Sequence, residues 1–194
     1  MEEGGRPPTQ NEEALAAPQP APSPVPAARK RRLGAAVVAV ILVIAAAALL
    51  RLYVFESDIV EGGSMLPGLR SGDFVLMYKL GRTQAPPRFS VVTFRAPDSG
   101  EVLIKRVIGL PRDWVWVWGD HVFINGGRLE EPYVARWRGQ FTAPVWVPAG
   151  SIFVLGDNRD ESEDSRVWGP VTLSALRGRA EFVFLPLSRA GTIR

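Results

Sequence analysis

The chain has 194 residues, 46% of them hydrophobic, with 23 Lys+Arg against 20 Asp+Glu. That length allows one domain plus a tail and an anchor. The absence of cysteine excludes disulfides, thiolate metal sites and a cysteine nucleophile. The excess basic charge gathers around an apolar stretch near the N-terminus, and no basic stripe or stacking motif points to nucleic acid.

Residues 1–28 are rich in Pro, Ala, Glu and Gln, with Pro18, Pro20, Pro22, Pro24 and Pro26 closely spaced. Such a segment buries too little apolar surface to offset its ordering entropy, so a disordered tail is expected. Arg29-Lys30-Arg31-Arg32 follows, then Leu33 to Leu50 without a charge or a proline. That run is long enough to cross a hydrocarbon core, which takes roughly 17–25 residues. The basic flank on its N-terminal side, against Arg51 on the other, places the tail in the cytoplasm and the rest outside. Tyr53 and Phe55 are expected at the interface, with Arg51 snorkelling. A cleaved secretory signal is the competing reading, but its apolar core normally spans about 7–15 residues. The expected division is a tail over 1–28, a basic flank, transmembrane helix and juxtamembrane segment over 29–56, and a β domain over 57–194.

Beyond residue 56 short apolar runs are bounded by Gly, Pro and Asp. The runs 74–78, 90–94, 102–110, 152–155 and 181–185 read as strands. Trp114 to Trp118, then Gly119-Asp120, then His121 to Ile124 reads as a hairpin with a two-residue turn. Asn125-Gly126-Gly127 reads as another tight turn, and only a turn near 172–176 has any helical character. The fold class expected is mainly β, an antiparallel sheet domain behind one N-terminal transmembrane helix and a disordered tail. Trp114, Trp116 and Trp118 share one strand face. Core packing is their default reading, and the lipid interface the sharper one.

Three stretches carry candidate chemistry. In Glu61-Gly62-Gly63-Ser64-Met65-Leu66-Pro67, the glycines let the backbone approach a bound chain and aim amides at a developing oxyanion. The bland alternative is a Gly-Ser turn entering a strand. A serine needs a neighbouring base to take its proton. Lysine can be that base only where burial lowers its pKa. Of the basic residues only Lys30, Lys79 and Lys105 are lysine. Arginine cannot release its proton, so a lysine retained beside Arg106 hints at titration. A surface strand lysine is the alternative, yet Val102-Leu103-Ile104 and Val107-Ile108 surround Lys105 with apolar neighbours. Ile104 and Lys105 point to opposite faces, so one of them is expected to face away from any given pocket. The third stretch, Gly156 to Arg166, lacks the mid-loop glycine and closing glutamate of a calcium loop. It reads as a charged loop paired with itself through Asp–Arg bridges, able to position a residue such as Ser162. His121, the one histidine, reads as a plain strand residue rather than a catalytic base.

Together these stretches resemble the type I signal peptidases of bacteria, over residues 33–186. Ser64-Met65-x-Pro67 is similar to the family's nucleophile box, and Gly72-Asp73-Phe74-Val75-Leu76 to the strand after it. Lys105-Arg106-Val107-Ile108-Gly109-Leu110-Pro111 is similar to its base box. Asn125-Gly126 with Glu131-Pro132-Tyr133 matches the region between. Gly156 to Asp160, through Ser162, Asp164, Ser165 and Arg166 to Trp168-Gly169-Pro170, matches its last box.

The resemblance implies a signal-peptidase-type catalytic domain with Ser64 as nucleophile, Lys105 as general base and Ser162 as the hydroxyl that orients the lysine amine. It implies Asp157 with Arg106 and Asp164 with Arg166 as structural ion pairs. Val60, Met65, Leu69, Val75, Leu103 and Ile104 are the implied pocket residues, selecting small side chains. The oxyanion donors are expected around Gly62 and Ser64. Many members carry a serine donor where this chain has Gly62, and a threonine where it has Gly68.

The implied activity is removal of signal peptides from exported preproteins after an Ala-x-Ala-like site. It would run through an acyl-enzyme, at the outer face of the plasma membrane, without metal or organic cofactor. The partners expected are such preproteins and the lipid bilayer. A membrane-tethered β domain that only binds export substrates is the alternative from another class. Self-cleaving SOS-response repressors also pair serine with lysine, but they are soluble and carry a DNA-binding head in place of a tail and anchor.

Overall fold

A computed structural model of the protein describes residues 27–79 and 84–193. The expected tail lies outside the described residues except for Ala27 and Ala28. The chain divides into two units, Met1–Ile44 and Ala45–Arg194. Helix α1 (Ala27–Tyr53) is rich in alanine and leucine and free of proline, a composition that favours helix. Within it Gly34–Arg51 has a mean hydropathy of 2.5, and none of that window is buried in the chain.

Beyond the end of α1 the second unit is mainly β. In chain order its strands are β1 (Phe55–Ile59), β2 (Phe74–Lys79), β3 (Val91–Arg95), β4 (Val102–Gly109), β5 (Trp114–Gly119) and β6 (His121–Ile124). They continue as β7 (Gly127–Arg128), β8 (Gln140–Phe141), β9 (Val145–Trp146), β10 (Ser151–Leu155), β11 (Val171–Thr172), β12 (Leu176–Leu185) and β13 (Gly191–Thr192). One short helix, α2 (Ser165–Trp168), precedes β11.

An eight-stranded sheet runs in the order β1-β2-β12-β3-β4-β10-β11, with β13 also on β12, and a five-stranded sheet runs β7-β6-β5-β8, with β9 also on β5. Every pairing is antiparallel. The antiparallel β class read from the sequence holds.

Phe55 opens β1 opposite Tyr78, with the two rings edge-on at 6.2 Å. The 181–185 run is only the second half of the ten-residue β12. Its first half, with Arg177 and Arg179, hides behind charged residues in the sequence. A Cβ at Gly178 would lie 3.0 Å from the Tyr78 carbonyl oxygen, so glycine lets β12 press against β2. The Trp114–Trp118 hairpin forms with Trp118 opposite His121, and Gly119 supplies a left-handed φ of 65° at the turn. The 172–176 turn is a single 3₁₀ turn, Leu173–Ala175.

Packing settles the tryptophan face. Val115, Val117 and Val122 turn inward and join Ile108, Val147, Phe153 and Leu155 in one buried cluster. The core reading is therefore corrected for Trp114 and Trp118, which are 47% and 63% exposed, while Trp116 is half-buried and stacks on Phe123. With a period of two, only one face of β5 can join that cluster, and the slimmer valines occupy it.

Two further clusters organise the large sheet. Val60, Met65, Leu69, Val75, Met77, Val91, Ala180 and Val183 pack beneath the β1–β2 connection. Val92, Phe94, Val107, Ile152, Val154, Val171, Leu173 and Leu176 form the other. Gly109, at the end of β4, lies against the hairpin cluster: a Cβ there would meet Val115 Cγ2 at 2.6 Å and Phe153 Cβ at 2.8 Å. Gly109→Ala is expected to lower stability by about 1–3 kcal/mol through overpacking, read as a lower midpoint in chemical denaturation.

Candidate active site

Ser64 sits in the connection from β1 to β2. The base of that loop is closed by Val60 N–H donating to Asp73 O at 2.8 Å and Gly72 N–H donating to Val60 O at 2.9 Å. Inside it Leu66 N–H donates to Gly63 O at 3.1 Å, and Leu69 N–H to Met65 O at 2.9 Å. Met65 and Leu69 are buried in a core cluster and pin the loop, while Ser64 between the loop's glycines and Met65 is half-buried. Asp73 completes the closure, its carboxylate paired with Arg189 Nε at 2.8 Å, and the Arg189 hydrogen bond holds this acid below the usual carboxylate range.

Lys105 enters from β4. Its residue is 4% exposed, and its Nζ lies 2.7 Å from Ser64 Oγ. Burial pushes the amine's pKa below the ordinary lysine value, while Asp164, Asp157 and Glu163 push it back up. The ladder between β4 and β10 spans only Arg106–Gly109, so Val102–Lys105 pair with β3 alone.

A cleft of about 320 Å³ opens there, lined by Ser64 and Lys105 together with Val60, Val75, Leu103 and Ile104. Asp58, Ile59, Glu61, Thr93 and Val102 complete its wall. The expectation that Ile104 or Lys105 must face away is corrected, because both border the cleft. Of the six expected pocket residues, Met65 and Leu69 do not line it; they lie in the core cluster with Val60 and Val75.

The loop from Gly156 to Arg166 packs on the back of this arrangement. A Cβ on Gly156 would fall 2.2 Å from Ser162 Oγ and 2.5 Å from Ser64 O, so glycine is what lets three segments meet. Ser162 Oγ donates to Asp164 Oδ2 at 2.8 Å, and that bond commits its proton. The hydroxyl can therefore serve an amine only as an acceptor. Asp164 also accepts from Gly156 N–H at 3.0 Å and from Arg166 Nε at 2.8 Å.

Arg106 forms a bidentate pair with Asp157, 2.8 Å at Nε and 2.7 Å at Nη2, with both groups buried. Burial pushes the Asp157 carboxyl up, and Arg106 opposes that push. Gly68 leaves room for the pair: a Cβ there would lie 3.0 Å from Asp157 Oδ2.

Sequence reasoning assigned no role to several residues found here. Tyr133 stacks its ring 4.1 Å from the Arg106 guanidinium and donates to Glu131 at 2.7 Å. Glu131 in turn pairs with the buried Arg159 at 2.5 Å. Asn158 reaches the Ser64 loop itself, its Nδ2 donating to Gly63 O at 3.1 Å and its N–H to Ser64 O at 3.0 Å. The runs Glu131-Pro132-Tyr133 and Gly156-Asp157-Asn158-Arg159 were the only signal for them, and nothing local in either run names a partner. His121 lies 3.3 Å from Asp120 and takes no part in the cleft. Among the described residues no group of three or more His, Asp or Glu side chains could hold a metal ion.

Comparison with known proteins identifies the family. Residues 33–185 match the family described as "Signal peptidase, peptidase S26". The chain is 39% identical to a signal peptidase I of Bacillus caldolyticus over 157 residues, covering 73% of this chain and 86% of that protein. It is 39% identical to a signal peptidase I of Leptolyngbya laminosa over 153 residues, 74% of this chain and 75% of the relative. A crystal structure of a signal peptidase I from Enterococcus faecalis V583 is 34% identical, with a TM-score of 0.44 over 50% of this chain and 97% of that one. On the family match and the identity to these relatives, this chain belongs to the signal peptidase family and is a peptide-bond hydrolase.

Proposed function

We propose that this protein removes N-terminal signal peptides from exported preproteins, with Ser64 as nucleophile and Lys105 as general base. The observation that carries this reading is the 2.7 Å contact between Lys105 Nζ and Ser64 Oγ, with the amine withdrawn from water. Ser64 Oγ attacks the scissile carbonyl carbon as neutral Lys105 takes its proton. The oxyanion is held by main-chain amides around Gly62 and Ser64. Collapse breaks the C–N bond, and Lys105 delivers the proton to the departing amine. Lys105 then deprotonates a water that attacks the ester, and Ser64 leaves with its proton restored.

Val60, Val75, Leu103 and Ile104 narrow the cleft, which suits a cut after small residues, as in an Ala-x-Ala-like site. The part of β4 that pairs with β3 alone offers main-chain groups to an extended substrate. Ser162 serves as an acceptor that orients the lysine amine. The Arg106–Asp157 and Arg166–Asp164 pairs hold the two loops in register. Gly34–Arg51 anchors the chain in the plasma membrane in a single pass, with the basic flank and tail cytoplasmic and the catalytic domain outside. Anchoring confines enzyme and substrate to one layer and raises their effective concentration.

Gly62 accounts for the missing hydroxyl donor. Its φ is 78°, a left-handed conformation that disfavours any side chain. Gly62→Ser is expected to cost about 1–2 kcal/mol of stability without raising turnover, checked by thermal melting and a cleavage assay on the same sample.

Ser64→Ala and Lys105→Ala are each expected to abolish shortening of a preprotein by the purified protein while leaving the circular dichroism spectrum unchanged. Lys105→Arg keeps the charge and should fail as well, because arginine cannot become a base. A domain that only binds its substrates would give no shorter product even as wild type.

The direction of the Lys105 shift sets the pH dependence. Activity requires the neutral amine, so it is full above the lowered pKa and falls as pH drops through it. A profile of kcat/KM against pH should show that acid limb with its inflection below 10.5, the ordinary lysine value. A flat profile across the acid range would remove Lys105 from the base role.

A further inference from the structure

We infer that Asn158 is a positioning residue that aims the Ser64 main-chain N–H at the oxyanion; this rests on the role proposed for Ser64. Asn158 holds the peptide units on both sides of the serine. Its Nδ2 donates to Gly63 O at 3.1 Å, and its main-chain N–H donates to Ser64 O at 3.0 Å. The peptide group is planar and trans, so the Gly63 C=O and the Ser64 N–H point in opposite directions within one plane. Fixing the oxygen fixes the amide.

That amide is free for use: no hydrogen bond among the described residues engages the Ser64 N–H. It also follows Gly62 and Gly63, the two residues least able to hold a peptide plane by themselves. Leu66 N–H supplies the other donor to Gly63 O, at 3.1 Å, so that oxygen is held from two directions. Because position 62 has no hydroxyl to share the charge, the aim of the Ser64 amide matters more in this chain.

The orientation of the Asn158 amide is itself settled by chemistry. Glu161 Oε2 accepts from the same Nδ2 at 3.0 Å. Two acceptors flank one end of the amide, and only the NH₂ end satisfies both. Glu161 is exposed, so its part is to hold Asn158 rather than to fill the core.

The test uses the full-length protein in detergent micelles with three readouts: preprotein cleavage, affinity for a peptide boronate that forms a tetrahedral adduct with serine, and affinity for the product peptide. Removing an oxyanion donor outright costs about 10²–10³ in kcat. Asn158→Ala leaves the donor present but loosely aimed, so kcat should fall roughly ten- to hundredfold with KM unchanged. Boronate affinity should fall by the same factor and product affinity should stay as in the wild type. The main-chain bond from residue 158 to Ser64 O survives in this variant. Glu161→Ala, which alters only an exposed side chain, should lower kcat a few-fold with the same split.

Wild-type kcat in Asn158→Ala overturns the inference. So does an equal loss of boronate and product binding, which marks a distorted cleft instead of a misaimed amide. If the wild type cleaves preprotein, either result counts against Asn158 alone. If the wild type neither cleaves nor forms the adduct, the reading of Ser64 fails and this inference falls with it.

Discussion

A lysine amine held out of water against a serine hydroxyl is the constraint around which this protein is arranged. Burying an ammonium is costly, and the usual outcome is a lowered pKa and a neutral group. The surroundings of Lys105 supply that burial from several directions. It is carried by β4, between β3 and the Ser64 loop, with the Gly156–Arg166 loop closing behind. The carboxylates of Asp164 and Asp157 oppose the effect. Each is engaged by an arginine, which draws their charge away from the amine. The near-exclusion of lysine from the chain fits this division. Arginines carry most of the permanent charges, and of the described lysines it is Lys105 that borders the cleft.

Three buried ion pairs involve the Gly156–Arg166 loop: Arg106–Asp157, Arg159–Glu131 and Arg166–Asp164. Buried pairs are weak evidence for stability, because desolvation offsets much of their attraction. Their geometry is more informative. Arg106 lies next to Lys105 in sequence, and Asp157 next to Gly156, so the pair locks the strand that carries Lys105 to the loop that touches Ser64. Asp164 gathers Gly156, Ser162 and Arg166 at one carboxylate. A shift in either loop would break several charge-assisted bonds at once, so the loops move together or hardly at all.

Glycine at 68 and 156 complements these pairs. Each occupies a place where a Cβ would strike the machinery itself, at Asp157 or at Ser162 and Ser64. The Gly68 geometry gives a reason for a departure from the family that the sequence left without one. The chain has closed the space that a larger residue would need.

The outer face of the small sheet shows where reading a sequence reaches its limit. Strand period alone placed Trp114, Trp116 and Trp118 together, but it could not say which face was buried. Val115, Val117 and Val122 took the inside, where they pack on Ile108 of β4 and Phe153 and Leu155 of β10. The same limit hid the first half of β12, where Leu176, Gly178 and Arg179 pair along the backbone with strands more than seventy residues away.

The chain's residue types were enough to announce an antiparallel β domain, a membrane-length helix and a serine and lysine suited to each other. These follow from local properties: apolar period, absence of charge, and what a hydroxyl or an amine can do. Folding alone decided that Ser64 and Lys105 stand 2.7 Å apart, that Met65 and Leu69 support the cleft from below, and that Asn158 grips the Ser64 loop. Contacts across such separations depend on how strands pair and where a ladder stops, and no short run of residues encodes them.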